Sequence, residues 1–151
     1  MPVLWIRAKQ EGMILAVITD LVVPARLDAI PEVSLEIERV MNSAGFSSEQ
    51  IPDMQLAIEE AITNTICYGY NGGTGSISIH FDVGPDHMVV VITDNAPAFD
   101  PLSVPDPDIS SSLEERRTGG LGIYLIRRVT DAVEYRYDQG KNILTLTKKM
   151  R

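Results

Sequence analysis

Glu60 and Asn64 stand four residues apart in the run Gln55-Leu56-Ala57-Ile58-Glu59-Glu60-Ala61-Ile62-Thr63-Asn64-Thr65-Ile66-Cys67-Tyr68. In a helix that spacing puts both side chains on one side, one turn above the other. Met54, Ile58, Ala61, Ile62 and Thr65 recur at three- and four-residue intervals, which predicts the helix and makes those five its buried stripe. Glu59 is turned away by about a hundred degrees. The pair therefore sits on the shoulder of a buried face. A carboxylate and a carboxamide placed so can hold a hard cation beside a proton acceptor. Solvated helix side chains use the same residue types, so the pair gains its weight from the segments that follow.

Two of those segments carry complementary chemistry. Asp94-Asn95-Ala96-Pro97-Ala98-Phe99-Asp100-Pro101 leaves a predicted strand directly. An aspartate at a strand end can accept the exocyclic amine of adenine in an otherwise apolar pocket. Gly119-Gly120-Leu121-Gly122-Ile123 opens a predicted helix. Glycines there leave backbone N–H groups unhindered at the positive end of a helix dipole, which suits phosphate. Magnesium keeps several waters, so Asn64 with phosphate oxygens can suffice as its ligands. A Gly-x-x-x-x-Gly-Lys-[Ser/Thr] loop is missing, as is Gly-x-Gly-x-x-Gly after the first strand, so neither a P-loop nor a Rossmann site is expected. His80 and His87 have no second ligand at metal-site spacing. Cys67 has no base beside it and reads as a buried thiol in a reducing compartment.

The elements that must position these groups follow from periodicity and punctuation. Residues 1–12 form an arm or an extra strand, and residues 13–151 one domain. Met13 to Val23 is a strand ended by Pro24. A helix follows, with Ile30, Val33, Ile37, Val40 and Met41 inward, Glu32, Glu36 and Arg39 outward, and Gly45 as its stop. Ser47 with Gln50 offers a capping box for the helix that carries Glu60. The Gly69–Gly75 run ends that helix near Tyr68. Ile77, Ile79 and Phe81 alternate with Ser78, His80 and Asp82, and Met88 to Thr93 pairs back across a turn holding His87. A lid of about residues 95–118 precedes the helix from Leu121 to about Asp131. Ala132 to Tyr137 and Asn142 to Lys148 close the chain as a hairpin, with Ile143, Leu144 and Leu146 as its apolar positions. Hairpins joined by helices predict an α+β two-layer sandwich: a mixed, mostly antiparallel sheet with helices on one face.

The 151 residues carry a formal net charge of −8, and nucleic acid needs clustered Lys and Arg, so it is not expected as a direct partner. No apolar run approaches the roughly 18–20 residues that span a bilayer. A soluble cytoplasmic protein without membrane contact is the expectation.

Glu60-Ala61-Ile62-Thr63-Asn64, the stretch Asp94–Pro101, and Thr118–Ile123 with Arg127-Arg128 occur here in an order and separation that resembles the ATP-binding domain of the GHKL superfamily of gyrase, chaperone, histidine-kinase and MutL ATPases. Within it the chain looks most like the stand-alone anti-sigma factor serine/threonine kinases, from about Val22 to Lys148. The resemblance implies a Bergerat ATP-binding fold that uses ATP and Mg²⁺. Glu60 would be the general base, Asn64 the magnesium ligand and Asp94 the adenine anchor. Gly119, Gly120 and Gly122 would shape the lid end over the phosphates. Ala96, Ala98, Phe99, Leu121 and Ile123 fall within the nucleotide-binding boxes. A STAS-type anti-sigma-factor antagonist and a sigma factor are the implied partners, and a homodimer is the implied assembly. The family often has glycine at Ala96 and glycine or proline at Ala98. Near the last hairpin it often has a Ser or Thr hydroxyl close to the adenine, where Asn142 stands instead. Two other functions compete: a nucleotide-dependent binding module without transfer, motivated by Ala96, and the ATPase half of a histidine kinase working in trans.

Overall fold

The computed structural model describes residues 3–8, 15–103 and 121–151. Its strands are β1 (Val3–Ala8), β2 (Leu15–Pro24), β3 (Ser76–Val83), β4 (His87–Asp94), β5 (Ala132–Asp138) and β6 (Lys141–Lys149). Its helices are α1 (Ile30–Ala44), α2 (Gln50–Asn64) and α3 (Leu121–Val129), with a π-helical turn over Thr65–Gly69. Among the described residues the strands form one sheet in the order β1-β2-β3-β4-β6-β5, and every pairing is antiparallel. The α+β sandwich is thus as expected, without a parallel pair. Expected lid residues 104–118 lie outside the described residues, as do Gly119 and Gly120.

One sheet face is apolar and covered. Leu21, Val23, Ile77, Ile79, Phe81, Met88, Val90, Ile92, Leu144 and Leu146 alternate with more exposed residues along their strands and join one core. Val33, Ile37, Val40 and Met41 of α1 and Met54, Ala57, Ile58, Ala61 and Ile62 of α2 supply the other half. α2 packs against both α1 and α3, so its shoulder is held between helices. Gly45 closes α1 with φ 88°, a left-handed cap that favours glycine. The turn at Gln139 and Gly140, both at positive φ, pins the last hairpin so that Asn142 faces Tyr137.

Several local expectations change. Glu36 is buried, not outward, because Arg39 of the next turn holds its carboxylate. Ser47 does not cap α2, which starts from Glu49 without a side-chain cap. Gln50 instead ties the helix start to the C-terminal strand: its Nε2 donates to the Lys149 carbonyl at 2.8 Å. Its Oε1 accepts from the Arg151 N–H at 3.2 Å. His87 begins β4 rather than sitting in the turn. Ile143 lies on the sheet face away from Leu144, since neighbours in a strand point oppositely. Among the described residues no helix is long and apolar enough to cross a membrane.

Candidate functional site

Asp94 is the last residue of β4 and Asn142 the second of β6, and the antiparallel register sets them opposite one another. Both are 6% exposed. A buried carboxylate needs donors around it. Asp94 Oδ1 accepts from the Ala96 N–H at 3.0 Å and from Asn142 Nδ2 at 2.9 Å. Its Oδ2 accepts from Thr65 Oγ1 at 3.3 Å, a long bond that leaves lone-pair capacity on that oxygen. Asp94 lines a cleft of about 450 Å³ that opens to solvent. The cleft walls are mostly apolar: Ala61, Ile92, Phe99, Pro101, Ile126 and Leu144. Asn64, Thr65, Asp94, Tyr135 and Asn142 supply the polar groups. An apolar slot with a few convergent polar groups is the usual make-up of a small-molecule site.

The helical pair meets this cleft at its shoulder. Asn64 ends α2 and is one of the cleft walls. A Cβ added to Gly122 would stand 3.0 Å from Glu60 Oε2, 3.1 Å from Asn64 Nδ2 and 3.4 Å from Asn64 Oδ1. The second residue of α3 thus lies against both side chains, and any Cβ there would make them give by a few tenths of an ångström. Glu60 is half-buried. Burial, and then the neighbouring charge of Glu59, raise its carboxyl above the ordinary glutamate value. A proton acceptor benefits from that shift.

The π-helical turn follows Asn64 at once, with the Tyr70 N–H donating to the Thr65 carbonyl at 2.8 Å. Thr65 itself keeps α-helical geometry, its N–H reaching the Ala61 carbonyl, and its half-buried hydroxyl faces Asp94. Cys67 of the turn is exposed, so the expected buried thiol is not found. Tyr68, 56% exposed, stacks on Phe99 with ring centroids 6.4 Å apart. Tyr70 braces the next loop: its hydroxyl donates to the Ser76 carbonyl at 2.7 Å and accepts from the Asn95 N–H at 3.0 Å.

Asn64, Asp94 and Phe99 line the cleft, and Glu60 and Gly122 adjoin it through Asn64 without being among its walls. Ala96, Ala98 and Ile123 are not among its walls. Ala96 is buried, with its methyl 3.1 Å from where a Cβ on Gly69, itself a wall of the cleft, would sit. Ala98 is exposed, and Ile123 belongs to the core. Leu121 begins α3. Periodicity hid Thr65, because a hydroxyl at a stripe position reads as core. Tyr135 was missed too. It is a half-buried residue of the edge strand β5, paired with the apolar Leu144, so the alternation alone reads it as packing. Arg127 adds a tie from α3 to the segment after Asp94, donating to the Leu102 carbonyl at 2.9 Å.

A magnesium ion fits what is present. Among the described residues no three His, Cys, Asp or Glu side chains are grouped to hold a metal. The cleft instead offers the carboxamide oxygen of Asn64, one hard ligand of the kind that magnesium supplements with phosphates and water.

A helix-covered antiparallel sheet, a buried strand-end carboxylate and a Glu–Asn pair against a glycine at a helix start together define an ATPase-type nucleotide domain. The histidine kinase-like ATPase domain model matches residues 23–148, and the chain belongs to that family. It is 32% identical over 126 residues to the serine-protein kinase RsbW of Bacillus cereus strain AH187, covering 81% of this chain and 79% of that relative. RsbW of Bacillus thuringiensis subsp. konkukian strain 97-27 matches to the same extent. The fold is similar to a structure of the RsbU and RsbW domains of Rv1364c from Mycobacterium tuberculosis, with a TM-score of 0.59 at 16% identity. That match covers 87% of this chain and 33% of the other, and it speaks for the fold.

Proposed function

We propose that this chain is a Mg²⁺- and ATP-dependent serine/threonine protein kinase. It would phosphorylate a STAS-type anti-sigma-factor antagonist in the cytoplasm and hold a sigma factor, working as a homodimer. The observation that carries the reading is Glu60 and Asn64 together against Gly122, on the shoulder of the cleft that Asp94 lines. The likeness to relatives named serine-protein kinases supports it.

In this reading Asp94 Oδ2 accepts the adenine amine, while Oδ1 stays occupied by the Ala96 N–H and Asn142. Phe99, Ile92 and Leu144 enclose the purine. Asn64 holds the metal through its carboxamide oxygen. Bound Mg²⁺ neutralises phosphate charge, which is where most of the catalysis of phosphoryl transfer arises. The substrate hydroxyl oxygen bonds to the γ-phosphorus as the bond to ADP breaks, and Glu60 takes the hydroxyl proton. Gly122, with Gly119 and Gly120 as further proposed phosphate contacts, lets the start of α3 approach.

The test is incubation with radiolabelled ATP, magnesium and STAS-domain proteins from the same genome. Label on a serine or threonine of one of them is expected. ATP binding without transfer to any of them would leave a nucleotide-dependent binding module, and no ATP binding would remove both.

Gly122→Ala separates stability from binding. Alanine favours a helix interior by about 1 kcal/mol over glycine, less at this second helical position, which offsets part of the crowding, so the variant is expected to melt within a few degrees of the parent. Its methyl would press on Glu60 and Asn64, and ATP affinity is expected to fall about tenfold. Calorimetry beside a thermal melt reads both.

A further inference from the structure

We infer that Asn142 is a specificity-determining positioning residue, which fixes the oxygen roles of Asp94 and locks the base-reading carboxylate to the segment that follows it. This rests on reading the cleft as an ATP site. The carboxamide of Asn142 is filled on every side. Its two Nδ2 hydrogens are shared among Asp94 Oδ1 at 2.9 Å, the Ala96 carbonyl at 3.0 Å and the Pro97 carbonyl at 3.2 Å. Its Oδ1 accepts from the Phe99 N–H at 3.0 Å and from the Tyr135 hydroxyl. Burial raises the Tyr135 phenol, the Phe99 N–H opposes the rise, and the charges of Asp100 and Asp94 add to it, so the phenol stays protonated.

Turning the amide over would set its NH₂ against the Phe99 N–H and its oxygen against three acceptors. Only one orientation is satisfied. That orientation commits Asp94 Oδ1 inside the protein and leaves Oδ2 to an incoming donor. A Ser or Thr hydroxyl is too short to reach Asp94, two carbonyls and the Phe99 N–H at once. The longer Asn side chain joins the carboxylate, the Ala96-Pro97 backbone and the Phe99 wall into one rigid unit. Asn142 also stands directly opposite Asp94 in the sheet register, so the unit is anchored to two strands.

The experiment compares ATP with purine riboside triphosphate, which lacks the 6-amino group, by calorimetry on the full chain with magnesium. The parent protein is expected to prefer ATP by about tenfold or more, the size of one specific polar contact in a buried site. Asn142→Ala is expected to weaken ATP at least about fivefold more than the analogue, so the preference collapses. Tyr135→Phe keeps the ring and its packing and removes one donor to Asn142. It is expected to weaken ATP about threefold more than the analogue. Equal losses for the two ligands in the variants would mean a merely structural role and overturn the inference. A parent protein that does not distinguish the ligands would overturn the adenine-site reading itself, and the inference with it.

Discussion

Glu60→Gln is expected to lower phosphoryl transfer by about 10²–10⁴-fold, the range a positioned general base contributes, while ATP affinity stays within about twofold. The amide keeps the shape of the carboxyl and its place against Gly122. It cannot take a proton. The same substitution removes a half-buried charge whose pKa is raised, first by burial and then by Glu59. The sign of the stability effect follows from that direction. A carboxyl with a raised folded pKa binds its proton more tightly in the native state. Its favourable contribution is complete below the unfolded value and is lost as pH rises through the folded one. At neutral pH the charged form is therefore a burden, made modest by its partial exposure. Glu60→Gln is expected to raise Tm slightly, on the order of 1–3 °C. Transfer by the parent protein should fall on the acid side as Glu60 takes up its proton, with an apparent pKa above the ordinary glutamate value of about 4.3. That acid limb should be missing from the residual activity of the variant. A variant that still labels its substrate at the parent rate would remove Glu60 from the chemistry.

Asp94→Asn is expected to lower ATP affinity by about a hundredfold or more with little change in Tm. The site dictates which way the new amide must turn. Two donors, the Ala96 N–H and Asn142 Nδ2, converge on the position of Oδ1, so the carbonyl oxygen has to stay there. The NH₂ then takes the place of Oδ2. Thr65 can rotate its hydroxyl to accept from it, which keeps the fold satisfied. The adenine amine, however, would meet another donor. A purine with a 6-oxo group would meet a matching one. Inosine triphosphate is accordingly expected to bind this variant better than ATP does, and competition calorimetry reads the reversal. Unchanged ATP affinity would show that Asp94 does not face the base.

The legible part of this architecture was the part carried by one-dimensional spacing. Ile77, Ile79 and Phe81 announced their strand, and Gly45 marked the end of α1, because a period or a single backbone requirement acts within a few residues. Glu60 and Asn64 were readable as a pair for the same reason. Gly122 was placed in the phosphate-facing segment, but its contact with that pair joins helices far apart in sequence and needed the packing of α3 on α2. Thr65 escaped because it keeps the helical period and so reads as a core position, while its hydroxyl meets Asp94 from a distant strand. Glu36 and Gln50 defied their polarity because each found a specific partner, Arg39 in one case and the C-terminal strand in the other. The Asn142 network was invisible as a network. Its five hydrogen bonds reach Asp94, Ala96, Pro97, Phe99 and Tyr135, and no local pattern encodes them.

A crystal structure with a non-hydrolysable ATP analogue and magnesium bears most directly on the shared cleft. The adenine amine is expected about 3 Å from Asp94 Oδ2, and the metal about 2.1 Å from Asn64 Oδ1. Glu60 is expected to face the γ-phosphate from the side where a substrate hydroxyl would approach. A nucleotide seated elsewhere, or one whose base turns away from Asp94 while its phosphates avoid Asn64, would contradict the assignment of these three residues to one site.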